Sequence, residues 1–140
     1  MEIKDLKNFR DLRGDLTPIE FNDLPFIPQR LFIVKNCQPG IKRGEHAHYK
    51  TRQYLICLKG CIKVVTHNGD VWADQTLREG QATLIEALNW DYQEFLTGND
   101  ILLVICSTSF DLDDYILDFE EFKHIVRSSD GNVESSTTSC

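Results

Sequence analysis

The stretch RGEHAHYKTRQYLICLKG, residues 43–60, contains two histidines separated by one residue, just ahead of an apolar run that ends at a glycine. Residues two apart in an extended strand face the same side, so His46 and His48 are predicted to present paired imidazoles at one site. A neutral imidazole can take or give a proton near pH 7, and two neighbouring rings could move a proton between adjacent atoms of a substrate. The pair therefore indicates acid/base chemistry, metal binding, or two hydrogen-bonded polar residues in a site that binds nothing.

The spacing around the histidines, G-x5-H-x-H-x4-Q-x6-G from Gly40 to Gly60, resembles the first sequence motif of the cupins. Cupins are small double-sheet β-barrels whose ligands enter at the mouth of the barrel. They normally carry Glu where this chain has Gln53, and Asp91 stands where their second motif has a further histidine. A neutral amide is a poor ligand for zinc, iron or manganese. The sequence therefore predicts no bound metal and no cofactor.

Short β-rich runs separated by turn residues follow one another along most of the chain, and their spacing is typical of a sandwich or barrel. Gly60 and the Asn68-Gly69 pair supply the positive φ that tight hairpin turns need. We therefore predict an all-β, cupin-type jelly roll, a double-sheet barrel over residues 1–127. Its strands are expected in RLFIVK, QYLICL, CIKVVT, DVWAD, ATLIEA, YQEFL and ILLVIC.

The pattern changes period in FDLDDYILDFEEFKHIV, where apolar residues recur every three or four positions. This period predicts one amphipathic C-terminal α-helix that packs on the barrel or on a partner subunit. Asp113 and Asp114 are assigned to its polar face, where no catalytic carboxylate is expected, and His67 is expected to be solvated. Residues 128–140 are polar and lack an apolar face, which predicts a disordered tail.

The composition excludes several classes of function. With 140 residues, 41% hydrophobic and 26% charged, the chain is expected to form one globular domain. A net charge of -7 argues against unaided binding to nucleic acid or to an anionic membrane. No stretch approaches the roughly 20 apolar residues of a membrane span, and the N-terminus lacks the apolar core of a signal peptide, so a cytoplasmic protein is expected. An anionic small ligand remains possible, because Arg13, Arg30 and Arg43 could bind a phosphate.

A closer resemblance covers most of the chain. The blocks DLRGDLTPIE, IPQRLFIV, RGEHAHYKTRQYLICLKG and FDLDDYI, in this order, are similar to the sugar-nucleotide 3,4-ketoisomerases, which are metal-independent cupins. The resemblance implies a homodimer of jelly-roll subunits that acts on a dTDP-linked sugar, dTDP-4-keto-6-deoxyglucose. The keto group would move from C4 to C3 in the biosynthesis of unusual deoxysugars, such as those of lipopolysaccharide O-antigens.

The resemblance assigns the proton transfers to the histidine pair. The hydrogen on C3 is acidic because it is α to the C4 carbonyl, so a base can remove it and form an enediol. Return of a proton at C4 then completes the reaction. We expect His46 to be the base at C3, and His48 to be its partner, which protonates C4 or relays a proton between the two oxygens.

Four further residues are expected to bind the substrate. Arg43 and Arg13 could hold the diphosphate through paired N–H donors, with ordinary surface arginines as the alternative. Gln53 could hydrogen-bond a sugar oxygen, or it could be a buried amide satisfied by backbone. Trp90 could form a wall against the sugar or the base, or it could belong to the core or to a dimer interface.

Some positions depart from the family pattern. Phe32, Leu84 and Phe110 stand where members commonly carry tyrosine, so the mouth of the barrel is predicted to be less polar on one side. Three outcomes stay open: a ketoisomerase that uses the histidine pair, an isomerase or epimerase of a different nucleotide sugar, and a nucleotide-sugar-binding cupin without activity. The sequence does not fix the configuration of the product at C4.

Overall fold

The chain is described by a computed structural model that covers the backbone of residues 1–138 and the side chains of residues 1–128. Antiparallel strands are its most abundant regular structure. Single 3₁₀ turns occupy Phe21–Asp23 and Leu112–Asp114, and the C-terminal helix α1 spans Phe119–Thr138. The strands are β1 (Ile3–Asp5), β2 (Phe9–Asp11), β3 (Gly14–Leu16), β4 (Arg30–Lys35), β5 (Lys42–His48), β6 (Gln53–Lys59), β7 (Cys61–His67), β8 (Trp72–Arg78), β9 (Gln81–Ile85), β10 (Trp90–Phe95), β11 (Ile101–Cys106) and β12 (Tyr115–Ile116).

Two five-stranded sheets form the body of the molecule. The first has the strand order β1-β9-β6-β11-β4 and the second has the order β12-β5-β10-β7-β8, while β2 and β3 form a separate hairpin. Alternation along each strand sends one set of side chains inward, as in β4, where Phe32 and Val34 pack against the core and Leu31 and Ile33 are exposed. The predicted all-β, jelly-roll class with one C-terminal helix is confirmed. The buried centre between the sheets consists of Leu55, Cys57, Ile62, Val64, Leu77, Ile85, Phe95, Leu102, Val104 and Cys106.

The outer face of the first sheet is covered by the chain's own N-terminal segment. Tyr54, Ile56 and Ile105 are buried on this face, and Ile19 and Leu24 pack against them. Tyr54 is therefore a packing residue.

The C-terminal helix begins later than the sequence pattern predicted. Residues 110–118 are not helical but form a 3₁₀ turn and β12, which pairs with β5 so that Tyr115 lies opposite His48 and Ile116 opposite Ala47. Asp118 precedes the helix and caps its N-terminus, since its carboxylate accepts a hydrogen bond from the Glu121 N–H. Apolar residues three and four apart fit a turn followed by a short strand as well as they fit a helix, and pairing with β5 decides between the two.

Helix α1 closes one side of the second sheet. Phe122 and Val126 pack against Ala47 and Trp90 in a second buried cluster. The helix extends through Thr138, beyond the domain boundary predicted at residue 127. The predicted disordered tail over 128–140 concerns order in solution and stays a prediction, and its last two residues lie outside the described residues. None of the helices in the described part of the chain combines the length and the apolar character that a membrane crossing requires.

His67 lies beneath this helix and is buried, so the expectation that it is solvated was wrong. Its ring packs against Trp72 and Phe119, and its Nδ1 accepts a hydrogen bond from the Gly69 N–H at 3.0 Å. Burial lowers its pKa, and the neighbouring Lys123 acts in the same direction. His67 therefore stabilises the turn and the base of α1.

Two glycines at turns that lead from one sheet to the other offer a matched test of this fold. The hairpin predicted at Gly60 was wrong, because β6 and β7 belong to different sheets. Gly60 and Gly80 have φ values of +88° and +81°, but an added Cβ would collide with the Asp100 carboxylate at Gly60 and meet nothing within 4 Å at Gly80. We expect Gly80→Ala to lower the free energy of unfolding by about 1–2 kcal/mol, the cost of the left-handed backbone. Gly60→Ala should lower it by about 3 kcal/mol or more, because Asp100 must also move. Urea denaturation measures both, and equal losses would contradict the predicted collision.

Candidate active site

A cavity of about 330 Å³ lies between the two sheets. Three residues predicted from the sequence line it together: Arg43 and His46 from β5, and Gln53 from β6. Two other cavities, of about 380 and 390 Å³, are formed with the N-terminal segment on the outer side of the first sheet. The chemistry-bearing side chains therefore gather in the smaller, inner cavity. Its further lining residues are Arg30, Phe32, Ile33, Val34, Gly44, Leu55, Asp91, Gln93, Val104 and Tyr115.

A β-bulge in β5 brings Arg43 and His46 to the same cavity. These residues are three apart, so a regular strand would place them on opposite faces. Gly44 and Glu45 both have positive φ, and the pairing with β10 shifts by one residue between Asp91, which lies opposite His46, and the next residue of β10. The extra residue in β5 turns Arg43 back toward the cavity that His46 already faces.

Three aromatic rings meet at the end of β5. The centroids of His46 and His48 are 4.9 Å apart with the ring planes at 87°, which confirms that the two side chains project together. The Tyr115 ring lies 4.4 Å from His48 and 5.1 Å from His46. Tyr115 reaches the histidines because β12 pairs with β5. The sequence pattern had placed this residue in a helix, so it was not expected in the site.

His48 is held from behind by a buried carboxylate. Its Nδ1 lies 3.1 Å from Oδ2 of Asp114, and the two side chains are 5% and 7% exposed. Asp114 also accepts hydrogen bonds from the backbone N–H groups of Lys50 and Thr51 and from the Thr51 hydroxyl. Burial alone would raise the pKa of Asp114, but these donors lower it below its ordinary value, so the group is a carboxylate. The expectation that Asp114 lies on a solvated helix face was wrong.

The same surroundings keep His48 neutral. Burial, and then the positive charge that His46 can carry, lower the pKa of His48 from 6.5 to about 4, although Asp114 acts in the opposite direction. A neutral His48 beside a carboxylate carries its proton on Nδ1 and donates it to Asp114. The contact is therefore a hydrogen bond rather than an ion pair. The Nε2 of His48 keeps its lone pair and has no hydrogen-bond partner among the described residues.

Asp91 is a second buried carboxyl group in the site, directly across from His46 in the strand register. Its side chain is 1% exposed, and its Oδ2 accepts a hydrogen bond from Gln93 Nε2 at 2.5 Å. Burial raises the pKa of Asp91, while the charge of His46 acts in the opposite direction. Sequence reasoning had treated Asp91 only as a lost metal ligand. Within residues 1–128, no three His, Cys, Asp or Glu side chains are grouped so as to hold a metal ion.

Arg30 supplies a second cation to the cavity besides Arg43. Its guanidinium lies over the rings of Phe32 and Phe110, 4.9 and 5.1 Å from their centroids. Contacts of this kind hold a guanidinium in place while leaving its N–H donors free for an anion. The two phenylalanines that replace family tyrosines therefore position an arginine.

Arg13 and Trp90 are not brought to this cavity within one chain. Arg13 lies exposed on the β2–β3 hairpin and forms an ion pair with Asp11. Trp90 precedes Asp91 in β10, and because successive side chains alternate, it packs against Phe119 and Phe122 on the other face of the sheet. The geometry of a single chain therefore gives neither residue a contact with a ligand of this cavity.

Known proteins are similar to this chain over most of its length. The family model described as FdtA: WxcM-like, C-terminal, matches residues 1–127. TDP-4-oxo-6-deoxy-alpha-D-glucose-3,4-oxoisomerase from Aneurinibacillus thermoaerophilus is 28% identical over 127 residues, which are 89% of this chain and 91% of that protein.

Solved structures of 3,4-ketoisomerases are also similar to this chain. The sugar 3,4-ketoisomerase QdtA from Thermoanaerobacterium thermosaccharolyticum, in complex with TDP, has a TM-score of 0.85 and 30% identity, covering 91% of this chain and 95% of that chain. A histidine-to-asparagine variant of QdtA, in complex with TDP-4-keto-6-deoxyglucose, has a TM-score of 0.85 and 29% identity, covering 91% and 94%. The match over residues 1–127 shows that this chain belongs to the FdtA, WxcM-like family.

Proposed function

We infer that this protein is a sugar-nucleotide 3,4-ketoisomerase that moves the keto group of TDP-4-keto-6-deoxyglucose from C4 to C3. The observation that carries this inference is the His46 ring, which lines a cavity beside a second imidazole and has an Nε2 without a hydrogen-bond partner among the described residues. A buried ring nitrogen left free in this way is available to a proton of the substrate. Relatives in the same family act on or bind TDP-linked keto sugars.

His46 is proposed as the base. The hydrogen on C3 is acidified by the adjacent C4 carbonyl, and a neutral imidazole can remove it to form an enediol. A positioned acid/base group of this kind contributes about 10²–10⁴-fold to the rate. Return of the proton at C4 leaves the carbonyl at C3.

His48 is proposed as the partner that passes a proton to C4. Because its pKa is near 4, a protonated His48 is a strong acid that holds a proton only transiently. Asp114 stabilises that transient charge and fixes the ring through Nδ1. The pair thus combines a base, His46, that lines the cavity with a second ring, His48, whose tautomer is set by its hydrogen bond to Asp114.

Arg30 and Arg43 are proposed to bind the diphosphate, and Gln53 to hydrogen-bond a sugar oxygen. Both arginines line the cavity, and Gln53 is buried in its wall. The role predicted for Trp90 finds no support in the cavity lining. Arg13 could reach a site only from the exposed β2–β3 hairpin, so its role depends on how copies of the chain assemble.

A homodimer is proposed from exposed apolar side chains on that hairpin and on β4. Leu12 and Leu16 of the hairpin and Leu31 and Ile33 of β4 are exposed. Large exposed apolar side chains in such number are typical of a surface that a partner covers. A cytoplasmic location and a part in deoxysugar biosynthesis for lipopolysaccharide O-antigens also stay predictions.

The reaction is tested by an NMR time course with TDP-4-keto-6-deoxyglucose in D2O. We expect the parent protein to form the 3-keto sugar with solvent deuterium incorporated, and His46→Asn to lower the rate at least 10²-fold. TDP at 100 times its dissociation constant should still add about 2.7 kcal/mol to the stability of both proteins. A parent that binds TDP without exchange or conversion would support a binding protein or a different nucleotide-sugar activity instead.

Asp114 offers a second test with a matched neighbour. Asp114→Asn removes the carboxylate that orients His48, so we expect kcat to fall at least tenfold, and stability at pH 7 to fall by about 1–3 kcal/mol as buried donors lose their acceptor. The pKa of Asp114 is lowered by folding, so its stabilisation is present above the ordinary aspartate pKa and is lost as the pH falls through the lowered value. The stability gap between parent and variant should therefore narrow under acid conditions. Exposed Asp113→Asn should change neither property, and equal effects of both variants would contradict the assignment.

The diphosphate site is tested by Arg30→Gln. Loss of a charge-assisted donor pair should raise the dissociation constant for TDP about tenfold or more, since hydrogen bonds to charged groups contribute about 1.5–3 kcal/mol. Calorimetric titration at fixed salt concentration measures the effect. The control is Arg78→Gln on exposed β8, and a dissociation constant unchanged by Arg30→Gln would place the diphosphate elsewhere.

A further inference from the structure

Asp91 is a buried acid that the proposed proton transfers of the histidine pair do not use. It lines the cavity together with His46, and its Oδ1 is buried without a hydrogen-bond partner among the described residues. Leaving a buried carboxyl oxygen unpaired is costly, so such atoms are rare and are often ones that a ligand completes. This oxygen therefore marks a position where a polar substrate atom fits.

Gln93 decides which oxygen of Asp91 can carry a proton. Its Nε2–H donates to Oδ2, and an oxygen that accepts this bond acts as the carbonyl oxygen of a carboxylic acid. The acidic proton then resides on Oδ1, the oxygen left free. A protonated Asp91 is thus a hydrogen-bond donor in the wall of the cavity.

The proposed isomerisation needs two kinds of proton transfer. One proton leaves C3 and another arrives at C4, which is the task of the histidine pair. In addition, the oxygen on C4 must gain a proton when the enediol forms, and the oxygen on C3 must lose one when the new carbonyl forms. The second kind of transfer needs a group that can first donate and then accept at one oxygen.

We propose that Asp91 is a catalytic residue that gives its Oδ1 proton to the C4 oxygen and then takes a proton from the C3 oxygen. This proposal rests on the ketoisomerase activity proposed above. In the first step His46 removes the C3 proton, the electron pair forms the C3=C4 bond, and the C4 carbonyl oxygen receives the Asp91 proton. In the second step the C3 hydroxyl returns a proton to Asp91, the C3 carbonyl forms, and C4 takes the proton held by the histidine pair. Both residues regain their starting protonation states, and no further reactant is consumed.

The surroundings of Asp91 suit this cycle. Burial raises the pKa of Asp91 to about 6, so the group holds a proton more tightly than an exposed aspartate, and His46 opposite it is neutral when it acts as a base. Once the enediol has formed, an imidazolium faces a carboxylate, and the two opposite charges stabilise each other. The other polar or charged groups around this cavity are Arg30 on β4, Arg43 on β5, Gln53 on β6, Gln93 on β10 and Tyr115 on β12.

Asp91→Asn tests the proposal, because the amide can still accept from Gln93 and donate to a substrate oxygen but cannot transfer a proton. We expect kcat to fall at least 10²-fold, while KM and the stabilisation by TDP stay within about threefold. Deuterium should still enter C3 of unconverted substrate faster than the 3-keto product forms. The alkaline decline in kcat/KM caused by ionisation of Asp91 in the parent should also be absent in the variant.

A measurement without substrate supports the same assignment. Folding raises the pKa of Asp91, so its favourable contribution to stability is complete below the ordinary aspartate pKa and is lost as the pH rises through the raised value. The melting temperature of Asp91→Asn relative to the parent should therefore increase as the pH is raised from 4 to 8, a range that spans aspartate titration. A difference that does not vary with pH would overturn the protonated resting state.

The matched control is Asp100→Asn, a change at another aspartate that is 1% exposed. Asp100 accepts hydrogen bonds from the N–H groups of Cys61 and Thr97 at a turn, outside the cavity lining, so this variant should melt lower but keep kcat within about threefold. An Asp91→Asn protein with kcat within threefold of an active parent, or one that has lost stabilisation by TDP, overturns the proposal for Asp91 alone. A parent that converts no substrate overturns the proposed function as well.

Discussion

The site depends on the hydrogen bonds that the buried carboxylate of Asp114 accepts. It accepts hydrogen bonds from the backbone of Lys50 and Thr51, from the Thr51 hydroxyl, and from His48. These bonds join the end of β5, the turn that follows it, and the segment leading into β12. Tyr115 comes directly after Asp114, so the same bonds that fix the His48 ring also place the phenol beside both histidines.

Three titratable groups lie in similarly buried surroundings, yet their pKa values are shifted differently. Asp114 receives several donors, which lower its pKa, whereas Asp91 receives one donor from Gln93 and burial raises its pKa to about 6. His48 remains neutral because burial outweighs the attraction of Asp114. Desolvation acts on all three, and the number of hydrogen bonds offered to the charged form decides the outcome. The site obtains a neutral imidazole, an orienting anion and an acid that holds its proton more tightly than an exposed aspartate.

Much of the fold could be predicted from local sequence, because alternation and glycine-containing turns are properties of neighbouring residues. Gly60 has the positive φ its turn requires, and His46 and His48 project together as their spacing predicts. The rest depends on pairing between distant segments. The bulge at Glu45 breaks the alternation that would have sent Arg43 to the opposite face, and the pairing of β12 with β5 overrides the helical period around Tyr115. The burial of Asp91, Asp114 and His67 likewise appears only when the sheets and α1 are assembled, since each residue type is polar and suggests solvent when read alone.

Strand β4 contributes side chains both to the cavity and to an exposed apolar surface. Arg30 and Phe32 line the cavity, while Leu31 and Ile33 alternate with them along the strand and are exposed, at the end of the sheet order. Any subunit that shields Leu31 and Ile33 restricts the backbone that presents Arg30. In the homodimer proposed above, self-association and occupancy of the cavity would be thermodynamically linked, and the apparent affinity for a nucleotide would depend on protein concentration.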